Sequence, residues 1–401
     1  MSDPVIVFDT TLRDGEQSAG VLFHERDKIE IAERLAAMRV DVIEAGFPAA
    51  SSGEARAVGA VARQIRNASV CALSRCIPHD VDLAAEALAG AACPRIHLFI
   101  NASDLQLEHQ LRRSRGEAVE LAVAMVARAK NAVQDVEFSP MDATRADRSF
   151  LTELVRAAAR AGATTINIPD TVGCALPNQV GDLIAHLKAA LADFDGRVLS
   201  FHGQNDLGMA TANAISAIAA GARQVEVCVN GIGERAGNAS FEEVVMAIAL
   251  HGEAMGVHTN IDTTGIWEVS KLVAERSKIP VPANKAIVGG NAFRHASGIH
   301  QDGVLKHRQN FECIDPARIG HPRGTQIVLG KLSGRAGFAA RSRALGLDVL
   351  GKAFDDAIEA FERLAAQKAE LSDEDIRQLF ARQRDDASIG DPSGGRLGCP
   401  E

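Results

Sequence analysis

The sequence predicts an α/β protein, a (β/α)8 TIM barrel followed by a smaller, mostly helical C-terminal region. Eight short β-type segments recur at intervals of about 25 to 40 residues along the first part of the chain. Ala-rich segments with apolar residues at helical spacing separate them. A doubly wound open sheet is the alternative, but the Gly-x-Gly-x-x-Gly turn that usually follows its first strand is missing. The barrel is therefore the favoured architecture.

The eight predicted strands are apolar runs that end in polar or charged residues. They cover residues 5–9, 40–46, 69–74, 95–101, 135–139, 164–169, 198–202 and 224–229. Between the first two, Ile31, Leu35 and Met38 are spaced at i, i+4 and i+7, which indicates an amphipathic helix. Strands of this kind, separated by such helices, form parallel sheets that are buried on both faces.

The alternation of strands and helices ends near residue 275. Gly, His, Asn and Pro are frequent in residues 280–325, which indicates a loop-rich linker with short helices. Helical patterns return over about 334–346, 352–370 and 372–384. We therefore expect four regions, namely a catalytic barrel over 1–275, a linker subdomain over 276–330, a helical subdomain over 331–385 and a disordered tail over 386–401.

Composition excludes several classes of protein. The net charge of −9, without a cluster of Lys and Arg, argues against binding to nucleic acid. No apolar run reaches the roughly 18 residues of a membrane span, and no signal segment precedes the first strand, so we expect a cytoplasmic protein without membrane contact. Seven scattered cysteines without Cys-x-x-Cys spacing predict reduced thiols.

Polar side chains follow nearly every predicted strand, and in a barrel these strand ends meet at one mouth. Asp14, His202 and Asn238 would bring a carboxylate, an imidazole and an amide oxygen together, a donor set that suits Mg²⁺, Mn²⁺ or Zn²⁺. Arg13 is placed to bind a substrate carboxylate or to stabilise an oxyanion. Each of these residues alone could instead be a hydrogen-bonded strand end or a helix cap.

Six longer motifs allow a more specific comparison. They read DTTLRDGEQ at 9–17, VIEAGFP at 42–48, NIPDTVG at 167–173, NGIGERAGN at 230–238, SGIHQDGV at 297–304 and LGKLSG at 329–334. With these motifs the chain resembles the 2-isopropylmalate synthase family and the related homocitrate and citramalate synthases over about residues 4–385. The GERAGN segment is similar to the synthases, whereas the related 3-hydroxyacyl-CoA lyases carry a cysteine-containing loop.

The resemblance implies an acyltransferase that condenses acetyl-CoA with a 2-oxo acid in a metal-dependent Claisen reaction, as in leucine biosynthesis. It implies Mg²⁺ or Mn²⁺, with Zn²⁺ less favoured, and a homodimer in which the linker reaches the partner's site. By resemblance, Asp14 and His202 are metal ligands and Asn238 lies near the metal, and we expect Gln204, which stands at a further ligand position, to complete the set Asp14, His202, Gln204 and Asn238. The substrate-binding residues are Arg13, Glu44, His97, Asn101 and Thr171, and the catalytic residues are Arg13, Glu234 and His300.

Three positions depart from the family pattern. Gln204 stands where a second metal-binding histidine is usual, Met141 where a glutamate is usual, and Phe311 where a tyrosine is usual. Asp142, beside Met141, could replace the glutamate. A carboxamide oxygen is a poorer ligand than imidazole for Zn²⁺, so we expect metal binding weakened by about 10-fold or more.

These departures leave several functions open. The protein could be an ordinary leucine-pathway enzyme, a condensing enzyme for an unusual 2-oxo acid, or a weakly active or non-catalytic paralogue that binds a small acid or pairs with an active synthase. A retro-Claisen lyase has the same fold, but the lyase loop is lacking. Leucine-pathway members commonly carry a further C-terminal regulatory domain, and we expect no leucine feedback through such a domain here.

Overall fold

The computed structural model describes residues 2–194 and 196–388, and the chain divides into two compact units. The first unit runs to Val281 and includes Ala286–Val288. The second comprises Pro282–Lys285 and the chain from Gly289 onward. Most of the predicted disordered tail, from residue 389 on, lies outside the described residues.

Eight parallel strands close into a barrel in the first unit, which confirms the predicted fold class. They are β1 (Ile6–Asp9), β2 (Val42–Gly46), β3 (Ser69–Arg75), β4 (Pro94–Asn101), β5 (Asp135–Met141), β6 (Thr165–Asp170), β7 (Val198–Gly203) and β8 (Gln224–Val227). Neighbours in sequence are neighbours in the sheet, and β1 pairs with β8 from Ile6 opposite Gln224. Every predicted strand end falls within two residues of an observed one.

Helices cover the outside of the barrel. The longer ones are α1 (Glu25–Ala37), α2 (Ser52–Gln64), α3 (Pro78–Ala87), α4 (Arg115–Ala132), α5 (Arg148–Ala161), α6 (Pro177–Ala190), α7 (Ala210–Ala220), α8 (Phe241–Met255) and α9 (Ile266–Ser277). In α5 the buried residues Leu151, Leu154 and Val155 recur at helical spacing. Gly162, at φ +116°, then ends this helix in the left-handed conformation that glycine adopts readily.

The lower half of the barrel interior is polar. The Arg95 guanidinium donates to Asp135 at 2.8 Å, to Glu137 at 3.0 Å and to Gln224 at 2.7 Å. The Gln224 amide nitrogen donates in turn to Glu137 at 2.7 Å and to Ser200 at 3.0 Å. These residues lie near the N-terminal ends of their strands, away from the mouth. We call this group, Arg95, Asp135, Glu137, Ser200 and Gln224, the lower network.

The second unit is largely helical. It contains α10 (Gly298–Lys306), α11 (Arg335–Ala344), α12 (Gly351–Ala365) and α13 (Asp373–Ser388), and Arg294–His295 pairs with Gln326–Ile327 in a short parallel ladder. Its core is aromatic, with the ring of Phe338 stacked on Phe361 at a centroid distance of 4.7 Å and on Phe354 at 5.7 Å.

Two helix ends in the second unit differ from the prediction. The helix α12 stops at Ala365, five residues before the predicted end, because the chain turns so that Leu371 can enter the aromatic core and donate its N–H to Leu329. The helix α13 continues to Ser388, four residues beyond the predicted end. Among the described residues, none of the helices combines the length and apolarity needed to span a bilayer.

Candidate functional site

A cavity of about 210 Å³ opens where the strands of the barrel end. Its position agrees with the rule that active sites of such barrels lie at the C-terminal ends of the strands. The predicted site residues that line it are Arg13, Asp14, His97, Thr171, His202, Gln204 and Glu234. Glu44, Asn101 and Asn238 do not line it, and His300 belongs to the second unit.

Asp14 lies in the turn that follows β1 and is almost fully buried. Its Oδ2 accepts hydrogen bonds from Arg13 Nη1 at 2.7 Å and from Gln204 Nε2 at 3.2 Å. Its Oδ1 accepts from Asn238 Nδ2 at 3.1 Å and from the Glu234 N–H at 3.3 Å. Burial opposes ionisation, but the positive charge of Arg13 and these hydrogen bonds outweigh it and hold the pKa of Asp14 below its usual value. The carboxylate is therefore ionised.

Glu44 lies beneath Arg13 and holds it in place. Its Oε2 accepts from Arg13 Nε at 2.6 Å and from the Thr10 hydroxyl at 2.7 Å, and its Oε1 lies 2.8 Å from His97 Nδ1. Burial raises the pKa of Glu44, but Arg13 and His97 outweigh burial and lower it to about 2. Glu44 is fully buried below the cavity wall, so this geometry makes it a positioning group for Arg13, and its predicted contact with substrate stays a prediction.

His202, at the end of β7, is held from both sides of its ring. Its Nδ1 lies 2.8 Å from Glu226 Oε2, and its Nε2 lies 3.0 Å from Gln204 Nε2 and 3.7 Å from Asp14 Oδ2. Burial lowers the pKa of His202, but the charge of Glu226 outweighs burial and raises it. Sequence reasoning missed Glu226, although an acid inside the apolar strand β8 was a signal that this side chain points into the barrel.

The loop from Asn230 to Asn238 brings a further amide to Asp14. Asn238 Nδ2 donates to Asp14 and to the Ile232 carbonyl, both at 3.1 Å. A Cβ at position 233 would lie 2.3 Å from Asn238 Nδ2, so only glycine fits at this close approach. Gly237 has φ +89°, a conformation that side chains with a Cβ rarely adopt. The two glycines thus explain how this loop packs against Asp14.

The residues around Asp14 fit a divalent cation. Gln204 Oε1 and Asn238 Oδ1 are buried and have no hydrogen-bond partner in the described part of the chain. Buried polar atoms are normally paired, so two unpaired oxygens on amides that contact one carboxylate through their nitrogens require an explanation. Together with Asp14 and His202 they form a set of mainly oxygen donors, which is typical of Mg²⁺ or Mn²⁺ sites.

The floor of the cavity continues the polar interior of the barrel. The Ser139 hydroxyl lies 2.7 Å from His97 Nε2 and accepts from Asn167 Nδ2 at 2.8 Å. Burial lowers the pKa of His97, but Glu44 outweighs burial and raises it to about 9, so the ring carries a charge at neutral pH. Asn167 Oδ1 and Glu226 Oε1 are further buried acceptors without a partner among the described residues. Asn167 was missed as a wall residue, although its alternation with Pro169 along β6 predicts that both face inward.

One wall of the cavity is apolar and consists of Leu73, Phe99, Met141 and Pro169. Asp142 does not restore an acid to this wall. Its backbone turns to φ +66°, and its buried carboxylate accepts from the Ser103 hydroxyl and from Arg145. The expectation that Asp142 replaces the usual glutamate is therefore wrong in geometric terms, because this carboxylate faces Arg145 and not the cavity.

The other predicted residues lie at the rim or outside it. Thr171 lines the cavity, and its hydroxyl accepts from the backbone N–H of Asp142 at 2.9 Å. Asn101 is turned away, since its amide donates to Gln106 at 2.9 Å and to Gln110 at 3.0 Å. A substrate contact by Asn101 therefore stays a prediction that the cavity lining does not favour.

His300 lies on α10 in the second unit. Its exposed imidazole stacks on the ring of Phe311, with the centroids 4.2 Å apart and the planes inclined by 22°. The phenyl ring thus orients His300 by stacking but offers no hydroxyl group. The predicted entry of His300 into a partner's site stays a prediction.

Comparison with known proteins agrees with the motifs. A family model described as HMGL-like matches residues 4–273, and one described as homocitrate synthase post-HMGL domain-like matches residues 287–369. The 2-isopropylmalate synthase of Methylorubrum populi is 47% identical over 377 residues, covering 94% of this chain and 72% of that protein. The 2-isopropylmalate synthase of Serratia proteamaculans is 49% identical over 379 residues, with coverage of 94% and 72%.

A solved structure shares the fold. The HMG-CoA lyase of Bacillus subtilis superposes with a TM-score of 0.59 at 22% identity, covering 70% of this chain and 96% of that one. At this level of identity the likeness concerns the barrel alone. The family models and the synthase relatives extend further along the chain, across both the barrel and the region after it. The predicted resemblance is confirmed: the chain belongs to the 2-isopropylmalate synthase family and is an acyltransferase.

Proposed function

We propose that the protein catalyses a divalent-metal-dependent Claisen condensation of acetyl-CoA with a 2-oxo acid that carries an apolar side chain. The methyl carbon of acetyl-CoA loses a proton and forms a bond to the ketone carbon, and water then cleaves the thioester to give CoA and a 2-substituted malate. The observation that carries this proposal is that two amides contact Asp14 through their nitrogens, while their buried oxygens, Gln204 Oε1 and Asn238 Oδ1, have no hydrogen-bond partner among the described residues.

Those four residues would hold Mg²⁺ or Mn²⁺ in this proposal. When bound, the ion supplies a Lewis acid that polarises the ketone oxygen of the 2-oxo acid. The ionised state of Asp14 supports this role, because a metal ligand must be deprotonated. The short contact between His202 Nδ1 and Glu226 supports it too, because a carboxylate that fixes the tautomer of a histidine leaves the other ring nitrogen free to coordinate.

Arg13 is the group that would bind the carboxylate of the 2-oxo acid. Two of its nitrogens are held by Glu44 and Asp14, so the guanidinium has a fixed direction. Its Nη2 lies 3.8 Å from Glu226, too far for a good hydrogen bond, and remains able to donate to substrate. Thr171 and Glu234 line the same rim, and Glu234 is the exposed carboxylate there that could move a proton.

The apolar wall supports the substrate class. Leu73, Phe99 and Met141 line the same cavity as Arg13, so the side chain of a 2-oxo acid held by Arg13 would have apolar residues to pack against. Burying an apolar group there is worth about 25 cal/mol per Å² removed from water, whereas a charged side chain would lose its hydration without a partner. A homodimer that contributes His300 to the partner's rim is part of the same proposal.

The direct test is thiol release from acetyl-CoA across a panel of 2-oxo acids with apolar, polar and acidic side chains, with Mg²⁺ or Mn²⁺ and with EDTA. We expect release that depends on the oxo acid, is fastest with an apolar side chain, and stops on chelation. No oxo-acid-dependent release with any member would contradict the proposal.

A binding protein without catalysis is the second candidate. It is favoured by the four hydrogen bonds that Asp14 already accepts from Arg13, Gln204, Asn238 and Glu234, and by the loss of an acid at Met141. Calorimetric binding of a 2-oxo acid without any release of thiol, at enzyme concentrations up to the micromolar range, would support this candidate.

A further inference from the structure

The side chain of Gln204 has an orientation that bears on how the site takes up an ion. Its Nε2 lies 3.2 Å from Asp14 Oδ2 and 3.0 Å from His202 Nε2, while these two atoms lie 3.7 Å apart. The amide nitrogen therefore sits between the two groups that any ion at this site would need. Its oxygen is buried and has no hydrogen-bond partner in the described part of the chain.

The donor and acceptor roles around this nitrogen are consistent. Glu226 is a carboxylate, which only accepts, so His202 Nδ1 carries the proton of this contact. In the neutral ring the other nitrogen, Nε2, is then an acceptor. One N–H of Gln204 donates to His202 and the other donates to Asp14, so both hydrogens of the amide are used.

Turning the Gln204 amide by 180° about its terminal bond would exchange the positions of Nε2 and Oε1. Gln204 Oε1 would then face Asp14 Oδ2 and His202 Nε2, and three acceptors would converge on one point. Such an arrangement is unfavourable without a cation, because Gln204 Oε1 and His202 Nε2 would face each other without a donor and Asp14 Oδ2 would keep only the hydrogen bond from Arg13. With a divalent cation it is the arrangement that a metal site requires.

We infer that the Gln204 amide has two orientations that act as a lock on the metal site. With Nε2 toward Asp14 and His202, hydrogen bonds close the site. With Oε1 toward them, the oxygen is a metal ligand and the site is open. The inference rests on the proposed metal site and goes beyond it, because it makes ion binding and the hydrogen-bonded form mutually exclusive. An ion must displace two hydrogen bonds before it gains the third ligand, so affinity is lower than the donor set alone would provide.

The substitution Gln204→Glu isolates this effect. Glutamate has the same length and shape but cannot donate at neutral pH, so it can adopt only the open position. We expect the Gln204→Glu protein to bind Mn²⁺ about 10- to 100-fold more tightly by calorimetry. Without added ion, two converging carboxylates repel, so its Tm lies below that of the unaltered protein, and Mn²⁺ raises its Tm by the larger amount.

Charge alone could also tighten binding, so a second measurement follows the amide itself. In protein labelled with [side-chain ¹⁵N]glutamine, the Gln204 signal is assigned by its disappearance in Gln204→Glu. We expect both amide protons to be protected from exchange without ion, and to shift and lose protection at saturating Mg²⁺. Unchanged amide signals at saturation, or equal Mn²⁺ affinity in Gln204→Glu, would overturn the lock.

The variant Asp14→Asn distinguishes a failure of the proposed metal site from a failure of the Gln204 lock alone. If it abolishes Mn²⁺ binding while Gln204→Glu has no effect, the metal site stands and the lock is wrong. If Asp14→Asn leaves Mn²⁺ binding unchanged, the ion binds elsewhere, and the proposed site and the lock are both wrong.

Discussion

The lower network and the mouth of the barrel are both buried, charged and held by hydrogen bonds, yet they differ in one respect. In the lower network no side-chain nitrogen or oxygen of Arg95, Glu137 or Gln224 is buried without a hydrogen-bond partner. Around the mouth, four buried acceptor atoms among the described residues have no hydrogen-bond partner. They are Asn167 Oδ1, Gln204 Oε1, Glu226 Oε1 and Asn238 Oδ1.

The difference shows that polarity alone does not mark a functional site in this barrel. A closed network leaves nothing for a ligand to bind and serves the fold, whereas unpaired acceptors in a cavity keep a place for a cation or a donor. All four unpaired atoms at the mouth are acceptors, which favours a positively charged or hydrogen-donating ligand there. Substitutions that change one of these regions and leave the other intact test this difference.

The largest effect is expected from Asp14→Asn at the mouth. Loss of the charge removes the anionic ligand of the proposed metal site and the partner of Arg13, so we expect kcat/KM for thiol release to fall about 1,000-fold or more. The matched control is Asp82→Asn, which removes an exposed carboxylate paired with Arg128 and is expected to change kcat/KM less than about two-fold. Equal activity in the two variants would contradict the assignment.

In the lower network, Arg95→Met should act on stability. At pH 8, above the raised pKa of Glu137, it leaves Glu137 and Asp135 without their cation, and removing one partner of a buried ion pair lowers the free energy of unfolding by about 3–5 kcal/mol. Urea denaturation measures this loss. Because Arg95 does not line the cavity, kcat per folded molecule should stay within about two-fold of that of the unaltered protein. A large loss of kcat at unchanged stability would instead show that the lower network takes part in catalysis.

Gln204→His at the mouth should change the preferred metal. An imidazole is a better ligand than a carboxamide for Zn²⁺, so we expect Zn²⁺ affinity to rise about 10- to 100-fold, and Mn²⁺ affinity to rise less. Competition with a fluorescent chelator measures both affinities. A rise of the same size for Mg²⁺, which prefers oxygen ligands, would show that ligand type is not what limits binding at this position.

The smallest expected effect is the contribution of Glu137 to the pH dependence of the free energy of unfolding. Burial is the main cause that raises the pKa of Glu137 from 4.5 to about 7. Between these values the folded protein holds a proton that the unfolded chain has released, so this contribution to stability is complete below pH 4.5 and is lost as the pH rises through 7. Between these two pH values the free energy of unfolding therefore falls by up to about 1.4 kcal/mol per pH unit.

The variant Glu137→Gln carries no titrating group at this position, so its free energy of unfolding should lack this slope. Urea denaturation of both proteins at several pH values between 4.5 and 7 measures the difference. Parallel curves for the two proteins would show that Glu137 stays ionised beside Arg95 throughout this range.

Much of the fold could be predicted from the sequence. Buried parallel strands are recognisable as apolar runs of four to eight residues, and the repetition of strand and helix defines the barrel. The end of α12 could not be predicted, because it depends on Leu371 returning to the aromatic core, and that is a tertiary contact. Propensity patterns do not contain such contacts.

The site was predicted in part. Motifs placed Asp14, His202 and Gln204 at one mouth, where the structure brings them together. The sequence could not show that Glu44 supports Arg13 from below, because alternation along a strand reveals the inward face but not the depth of a side chain in the barrel. Nor could it show which end of the Gln204 amide faces Asp14, since that depends on donors and acceptors from three different strands.

The most direct test of the central claim is to count bound Mn²⁺ by electron paramagnetic resonance in the unaltered protein, in Asp14→Asn and in Glu137→Gln. We predict one bound ion per chain in the unaltered protein and in Glu137→Gln, and none in Asp14→Asn. Retention of the ion by a folded Asp14→Asn protein, or its loss from a folded Glu137→Gln protein, would contradict the proposal that the mouth, and not the lower network, binds a metal ion.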